Sequence, residues 1–325
     1  MDPKPVGAAP TARGHPTMEP SGAGPTAREF INKVPEITIY FWVIKILCTT
    51  VGETVSDLLN VDLGFGLDNT GLVMGGLLIA ALAVQFWYRK YVPWIYWLVV
   101  VLISIVGTII TDKLHDDMGI ALSNLTIAFS VALAVVFGSW YWVEKTLSIR
   151  TITTPRREGF YWTAILATFA LGTAAGDYLL ETLQQALGGA DGTFLGLDGQ
   201  RAGLLVSGAI FGLVIVGAAV AHLKFKVNPV LAFWVAYIFT RPFGANIGDF
   251  LGGDPAHFIE DDGTPTIGVG GLGIGAPIIS AIFLTAIVAA IAYLTVTKKD
   301  TSPSKLFEVE TEADRAARLQ RNGPS

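Results

Sequence analysis

The sequence predicts an all-α, polytopic membrane protein whose eight transmembrane helices form four tandem two-helix repeats in parallel topology. The chain of 325 residues is 52% hydrophobic and 15% charged, and its mean hydropathy is +0.54. Soluble domains carry about 25% charged residues. Eight apolar stretches are long enough to cross a bilayer, which takes about 20 helical residues. The pattern W-x9-G-x4-D occurs four times, and such repetition is typical of a repeat architecture.

The repeated pattern marks the first helix of each pair. Its four copies are Trp42, Gly52 and Asp57; Trp97, Gly107 and Asp112; Trp162, Gly172 and Asp177; and Trp234, Gly244 and Asp249. An aromatic residue precedes each Trp, and a small residue precedes each Asp. A glycine followed four residues later by a small residue lets helix backbones approach closely. We therefore expect the four pattern-bearing helices to pack together, with their Trp side chains in the interfacial aromatic belt.

The predicted spans divide the chain into a membrane domain, residues 33–297, and two tails. The spans are residues 37–59, 70–88, 94–112, 119–142, 160–183, 203–221, 229–250 and 270–296. They form repeats at about 33–92, 93–157, 158–227 and 228–297, each with two spans. Residues 1–32, rich in Pro, Gly, Ala and Thr, are predicted to form a disordered cytoplasmic tail. Residues 298–325 are predicted to form a second, solvated cytoplasmic tail.

Basic residues in the links predict the orientation. Links after even-numbered spans contain eight of them, and links after odd-numbered spans contain two. The eight are Arg89, Lys90, Lys145, Arg150, Arg156, Arg157, Lys224 and Lys226, and the two are Lys113 and Arg201. Because basic links stay in the cytoplasm, both termini are predicted to be cytoplasmic and all four pattern-bearing helices to run outward. The repeats are then related by an axis near the membrane normal.

Polar side chains line one face of these helices, because residues four apart share a face. The four faces are Lys45, Thr49, Glu53 and Asp57; Val100, Ser104, Thr108 and Asp112; Ile165, Phe169, Thr173 and Asp177; and Tyr237, Arg241, Ala245 and Asp249, with Asn246 one turn from Asp249. The third face is polar only at its outer end. We expect the faces to meet in a shared interior.

The charged members of these faces are the candidate functional residues. Lys45, Glu53 and Arg241 lie inside apolar spans, where a lone charge costs at least about 2.5 kcal/mol. Each must therefore meet a partner or water. The four aspartates lie near helix C-termini, where the helix dipole disfavours a carboxylate. The predicted ion pathway consists of Glu53, Asp57, Asp112, Asp177, Asp249, Asn246, Thr49, Ser104, Thr108 and Thr173.

Two roles for the carboxylates stay open. In the first, the metal ligands or proton carriers are Glu53, Asp57, Asp112, Asp177 and Asp249. In the second, each aspartate caps or hydrogen-bonds a neighbouring helix and serves only in packing. Arg241 and Lys45 are predicted to be ion-pair partners, and snorkelling to the interface is a further option for Lys45.

Other chemistry finds little support. The single cysteine, Cys48, lies in an apolar run, and the four histidines are scattered, so no Cys/His metal site is predicted. Catalytic motifs, a nucleotide-binding loop and a basic nucleic-acid patch are all missing. We therefore expect neither an enzyme nor a nucleic-acid partner; the expected partners are the lipid bilayer and a small cation. A bound divalent cation would be a hard one, such as Mg²⁺ or Mn²⁺.

Several segments resemble a bacterial family of multi-pass "membrane-anchored proteins" built from four tandem two-helix repeats of unknown function. The resemblance rests on the segments KVPEI at 33–37, FWxIK at 41–45, GETxxD at 52–57 and GTxxGD at 172–177, and it covers about residues 33–297. It implies the repeat architecture and the bacterial inner membrane. It implies no substrate.

Two classes of function fit these observations. The first is a transporter or channel for a cation, either a hard divalent metal or an ion coupled to protons through Glu53. The second is a non-transporting scaffold or sensor in which the pattern only glues helices together. Polar faces around a hydrated cavity would favour the first class, and a dry seam would favour the second. The repeated carboxylates inside the spans favour the transporter.

Overall fold

The computed structural model describes residues 32–188, 192–255 and 268–301, together with the short segments 258–259 and 265–266. Over this part of the chain, eight helices are long and apolar enough to cross a membrane. They are α1 (Ile39–Asp57), α2 (Gly66–Trp87), α3 (Pro93–Asp112), α4 (Leu122–Glu144), α5 (Pro155–Ala186), α6 (Gly199–Phe225), α7 (Pro229–Gly252) and α8 (Ala276–Thr297). The predicted all-α membrane fold is thereby confirmed.

Short irregular elements connect the helices. A π-helical turn extends α1 (Leu58–Asp62) and another extends α3 (Lys113–Asp117). Two hairpins join β1 (Thr193–Phe194) to β2 (Leu197–Asp198) and β3 (Phe258–Ile259) to β4 (Pro265–Thr266). Most of the predicted N-terminal tail and residues 302–325 lie outside the described residues.

Local chemistry accounts for several helix starts. Proline occupies the first turn of α3, α5, α7 and α8, where its missing N–H costs no helical hydrogen bond. Asn228 caps α7, since its Oδ1 accepts a hydrogen bond from the N–H of Val230 at 2.9 Å. Thr154 caps α5 in the same way through the N–H of Arg157 at 3.3 Å. Local sequence therefore marks where α3, α5, α7 and α8 begin.

The predicted eighth span begins too early. Residues 270–275 are not helical; Gly270, Gly273 and Gly275 have positive φ values of 89°, 70° and 92°. This glycine-rich loop folds back on the end of α7, with the N–H of Leu272 donating to the carbonyl of Phe250 at 2.8 Å. Glycine adopts left-handed backbone at little cost, so this segment forms a loop rather than a helix. The helix α8 begins only at Ala276.

The four pattern-bearing helices form an inner ring. Helix α1 packs against α3, α3 against α5, α5 against α7, and α7 against α1. Each even-numbered helix lies outside and packs on the inner helix of the following repeat: α2 on α3, α4 on α5, α6 on α7 and α8 on α1. Between 56% and 78% of the residues in the apolar stretch of each inner helix are buried, against 17–22% for the outer helices. The outer helices therefore present the lipid-facing surface.

Glycines of the pattern lie at the contacts between neighbouring inner helices, which we call the seams of the ring. A Cβ added at Gly52, Gly107, Gly172 or Gly244 would come closer than 3.0 Å to a side chain of the next inner helix. The side chain that packs against each glycine belongs to the residue three positions before the glycine of the next repeat. The pairs are Gly52 with Ser104, Gly107 with Phe169, Gly172 with Arg241, and Gly244 with Thr49. The same register at all four seams is the pattern that rotation about a common axis produces. The direction in which the helices cross a membrane stays a prediction.

The tryptophans of the pattern do not lie where the sequence predicted them. Trp97, Trp162 and Trp234 are buried, and Trp42 is half-buried. The aromatic residue before each Trp packs on the Trp of the next repeat, with ring centroids 5.4–6.4 Å apart. The pairs are Phe41 with Trp97, Tyr96 with Trp162, Tyr161 with Trp234, and Phe233 with Trp42. The four Trp thus belong to the packed core rather than to an interfacial belt.

Removing one hydroxyl from this aromatic layer is expected to have a measurable cost. The hydroxyls of Tyr96 and Tyr161 are 2.6 Å apart and buried. Tyr161→Phe should lower the free energy of unfolding by about 1 kcal/mol, because the Tyr96 hydroxyl loses its hydrogen bond away from water. Unfolding in detergent, followed by tryptophan fluorescence, measures the change. The exposed Tyr178→Phe is the control, and equal stability of the two variants would contradict the prediction.

Candidate functional site

A buried ion pair crosses the middle of the inner ring. Arg241 on α7 is 1% exposed, and its Nη2 donates to Glu53 Oε2 on α1 at 2.5 Å. The same nitrogen donates to Thr108 Oγ1 on α3 at 2.5 Å. Thr108 in turn donates to the carbonyl of Ser104 at 3.1 Å. Three of the four repeats therefore meet at one guanidinium group.

Along the polar face of α1, the side chains are accessible to solvent toward one end. The Glu53 side chain is 14% exposed, whereas Thr49 and Lys45, one and two turns earlier on the same face of α1, are 0% exposed. Toward the other end of the face, Asp57 is exposed. Access from solvent therefore decreases along α1 and ends at the Glu53–Arg241 pair.

The four aspartates of the pattern surround the open end of the ring. Asp112, Asp177 and Asp249 are half-buried, and each of the four interacts electrostatically with both Glu53 and Arg241. Within the described residues, none of the four carboxylates forms a hydrogen bond or an ion pair with another side chain. We call the four aspartates and Glu53 the acidic funnel, and the Glu53–Arg241 pair its floor.

Lys45 lies below this funnel in an aromatic enclosure. Its Nζ is 3.9 Å from the ring centroid of Phe169 on α5 and 4.4 Å from that of Tyr237 on α7. The side chain is 0% exposed and does not snorkel. Among the described residues it forms no ion pair, in contrast to the expectation; two aromatic rings lie against the ammonium.

The remaining predicted pathway residues divide between the interior and the seams. Thr49 donates to the carbonyl of Thr240 at 3.2 Å and lies in the seam between α1 and α7. Asn246 accepts a hydrogen bond from Ser207 on α6 at 2.5 Å, which places it in the seam between α6 and α7. Ser104 packs on Gly52, and Thr173 donates to the carbonyl of its own helix at Phe169, 3.0 Å away. Of the predicted hydroxyls, only Thr108 contacts the ion pair.

The predicted metal ligands do not converge on one point. Over residues 32–301, apart from the undescribed gaps, no group of three His, Cys, Asp or Glu side chains is close enough to hold a metal ion. The aspartates come from four inner helices, so the distances between them depend on how closely the C-terminal ends of these helices approach one another. A metal site formed by these carboxylates stays a prediction.

Sequence reasoning missed a second buried ion pair at the other end of the ring. Lys33 Nζ and Glu158 Oε2 are 2.5 Å apart, and their side chains are 6% and 1% exposed. Gln85 Nε2 donates to the other oxygen of Glu158 at 3.0 Å. Each of the two residues lies just outside an apolar run, so spacing within a span gives no signal of their burial. Their burial follows from the segment before α1, which packs into the end of the ring.

The residues that follow α8 join the same end. The N–H of Glu36 donates to the carbonyl of Asp300 at 2.9 Å, and the Tyr91 hydroxyl donates to Asp300 Oδ2 at 2.5 Å. Burial, together with the negative charge of Asp300, raises the pKa of Tyr91 above its ordinary value. The phenol therefore stays protonated and remains a donor. This contact connects the first and last repeats beside the Lys33–Glu158 pair.

The fold and the funnel define a class of protein: a multi-pass membrane protein of tandem helical repeats with charges inside a helix ring. The model of the family described as Repeat of Unknown Function (DUF347) matches residues 40–91, 95–146 and 232–300. These matches cover the first, second and fourth repeats and more than half of the chain, so the chain belongs to this family. Neither the curated proteins nor the solved structures contain a match.

Proposed function

We propose that the protein is an integral membrane transporter for a small cation in the bacterial plasma membrane, with both termini in the cytoplasm. The cation is a hard divalent metal such as Mn²⁺ or Mg²⁺, or its movement is coupled to protons. It would enter the acidic funnel and reach Glu53. No enzymatic step is involved.

The observation that carries the proposal is the state of the carboxylates. Four aspartates without a hydrogen-bonding partner among the described residues surround a fifth carboxylate whose partner is a buried arginine. A cleft lined by one sign of charge raises the local concentration of the opposite ion. Ionisable groups inside a membrane domain are costly and mark ion or proton pathways. The funnel thus has the charge and the access that a cation entry site requires.

The floor of the funnel favours a carrier over an open channel. Arg241 is 1% exposed and lies directly beneath the carboxylate that an incoming cation would meet. A cation or proton bound to Glu53 weakens the attraction between Glu53 and Arg241, because the bound ion and the guanidinium then compete for the same carboxylate oxygens. Passage requires the guanidinium to move away from Glu53. We therefore propose the Glu53–Arg241 pair as a gate that opens when Glu53 is occupied.

A scaffold is the second candidate, and a different set of contacts favours it. Hydroxyls of the pattern-bearing helices bond across the seams: Thr50 donates to the carbonyl of Gly244 at 3.0 Å, and Thr111 donates to that of Ala170 at 3.3 Å. These bonds and the glycine contacts hold helices together. They lie in the seams, however, and leave the function of the funnel carboxylates unexplained.

Neutralising the exposed end of the funnel tests the proposal. The purified chain in proteoliposomes should show flux of one ion among Mg²⁺, Mn²⁺, Ca²⁺, Na⁺, K⁺ and H⁺. Asp57→Asn should reduce this flux at least about tenfold, which corresponds to about 1.4 kcal/mol, because one charge of the entry site is lost. Asp57 is exposed and has no hydrogen bond to a described residue, so folding should be unaffected.

A carboxylate outside the funnel provides the matched control. Asp116 is exposed in the turn after α3, and Asp116→Asn removes the same charge from the same end of the molecule. Its flux should equal that of the native chain. If the native chain transports none of the six ions, or if both variants transport as well as the native chain, the transporter proposal fails and the scaffold is favoured.

A further inference from the structure

Several hydrogen-bond donors inside the inner ring have no acceptor among the described residues. They are Lys45 Nζ, Arg241 Nε and Nη1, and the hydroxyls of Ser104 and Tyr237. All four side chains are at most 1% exposed. Buried polar groups are nearly always hydrogen-bonded, and an unpaired charged donor is the most costly exception. The donors therefore point to a ligand that accepts hydrogen bonds.

These donors belong to one level of the ring. Lys45 Nζ is 4.4 Å from the ring centroid of Tyr237, and Tyr237 precedes Arg241 by one helical turn on the same face of α7. The charges of Lys45 and Arg241 interact unfavourably with each other. Ser104 lies one turn before Thr108, which accepts a hydrogen bond from Arg241. Helices α1 and α7 thus direct donors into the same part of the interior, and Ser104 of α3 lies at this level in the seam against Gly52.

The charges at this level do not balance. Glu53 is the carboxylate that pairs with Arg241, and it contacts only the Nη2 atom of the guanidinium. Lys45 has no carboxylate partner in the described chain, and Asp249 lies eight residues after Arg241 on α7, about two helical turns toward the other end of that helix. With Lys45 protonated, the two cations and one paired carboxylate at this level leave a single excess positive charge. A water molecule would accept hydrogen bonds here but would not offset that charge.

We propose that the inner ring binds a small monovalent anion of the halide class between the Lys45 ammonium and the Arg241 guanidinium. The anion accepts from Lys45 Nζ, from Arg241 Nε or Nη1 and from the Tyr237 hydroxyl. Aromatic rings form the walls, since Phe169 and Tyr237 face the ammonium. The Phe169 ring offers no donor on its side of the site, which favours a single compact acceptor atom over a carboxylate with two oxygens. The site lies beneath the floor of the funnel and shares Arg241 with it, but anion binding does not depend on cation transport.

Halide-dependent stability tests this site in detergent, without any gradient. The unfolding midpoint of the purified chain is measured against increasing sodium bromide or sodium chloride, with sodium gluconate added to keep the sodium concentration constant. We expect the midpoint to rise saturably with either halide. Lys45→Met should weaken the apparent halide affinity at least tenfold, because it removes one of the two cations. Lys299→Gln removes an exposed positive charge and should leave the affinity unchanged.

A second variant guards against loss of folding. Tyr237→Phe keeps the ring beside Lys45 but removes a donor, and its halide affinity should fall at least threefold. Identical midpoints of the native chain in all three salts would overturn the proposal. An unchanged halide response in Lys45→Met, or in Tyr237→Phe if Lys45→Met yields no folded protein, would also overturn it. Stabilisation by sodium acetate equal to that by bromide would overturn the halide class.

Discussion

Replacing Arg241 with methionine is expected to lower the free energy of unfolding by about 3–5 kcal/mol. Methionine fills a similar volume but cannot donate to Glu53 or Thr108, each of which lies 2.5 Å from Arg241 Nη2. The Glu53 carboxylate, 14% exposed, then retains its charge in an apolar surrounding without a partner. Unfolding of the detergent-solubilised chain, monitored by tryptophan fluorescence, measures the loss.

A double-mutant cycle separates the ion pair from the packing of the side chain. The double variant Glu53→Gln/Arg241→Met has no buried charge at this position, so it should recover at least about 1 kcal/mol of the loss in Arg241→Met. If the double variant is as unstable as the sum of the two single variants, the pair is not coupled and the gate loses its physical basis. The cycle also explains why Asp57→Asn is the better flux variant: Glu53→Gln changes both charge and stability.

Adding a methyl group to Gly172 should also disrupt the ring. A Cβ at Gly172 would lie 2.7 Å from both Cβ and Cγ of Arg241 and 3.2 Å from Cδ of Pro242. Overpacking of this kind costs about 1–3 kcal/mol. Gly172→Ala should therefore lower the free energy of unfolding by this amount, and it should displace the residue that pairs with Glu53.

A glycine on an outer helix is the matched control. Gly138 on α4 has no atom within 4 Å of an added Cβ. Gly138→Ala should raise the free energy of unfolding by up to about 1 kcal/mol, because alanine is the better helix former. The same unfolding measurement compares both variants with the native chain. A result in which Gly172→Ala is as stable as Gly138→Ala would show that the seams tolerate a side chain and that the glycines of the pattern serve another purpose.

Much of the architecture was predictable from local signals. Apolar length and composition indicate eight helices, and the recurrence from Trp42 to Asp249 indicates four repeats. Spacing by four residues also placed Lys45, Glu53 and Arg241 on inward faces, as their burial confirms. The glycine and small residue of each pattern predicted close helix contacts. These inferences succeed because helical period and apolar length are properties of short segments.

Pairing within the ring depended on tertiary structure. Arg241 and Glu53 are 188 residues apart in the chain. Whether Lys45 meets a carboxylate, lipid headgroups or two aromatic rings depends on which helices become its neighbours.

The composition and spacing of this chain determine that it is a membrane protein of four helical pairs with charged residues on one face of its inner helices. Tertiary structure alone decided that Trp97 is buried, that Glu158 pairs with Lys33 at one end of the ring, and that Arg241 pairs with Glu53 in its middle. The physical reason is that a helix face is set by nearest neighbours in sequence. The groups that the residues of that face contact are set by the order and rotation of the helices around a common axis.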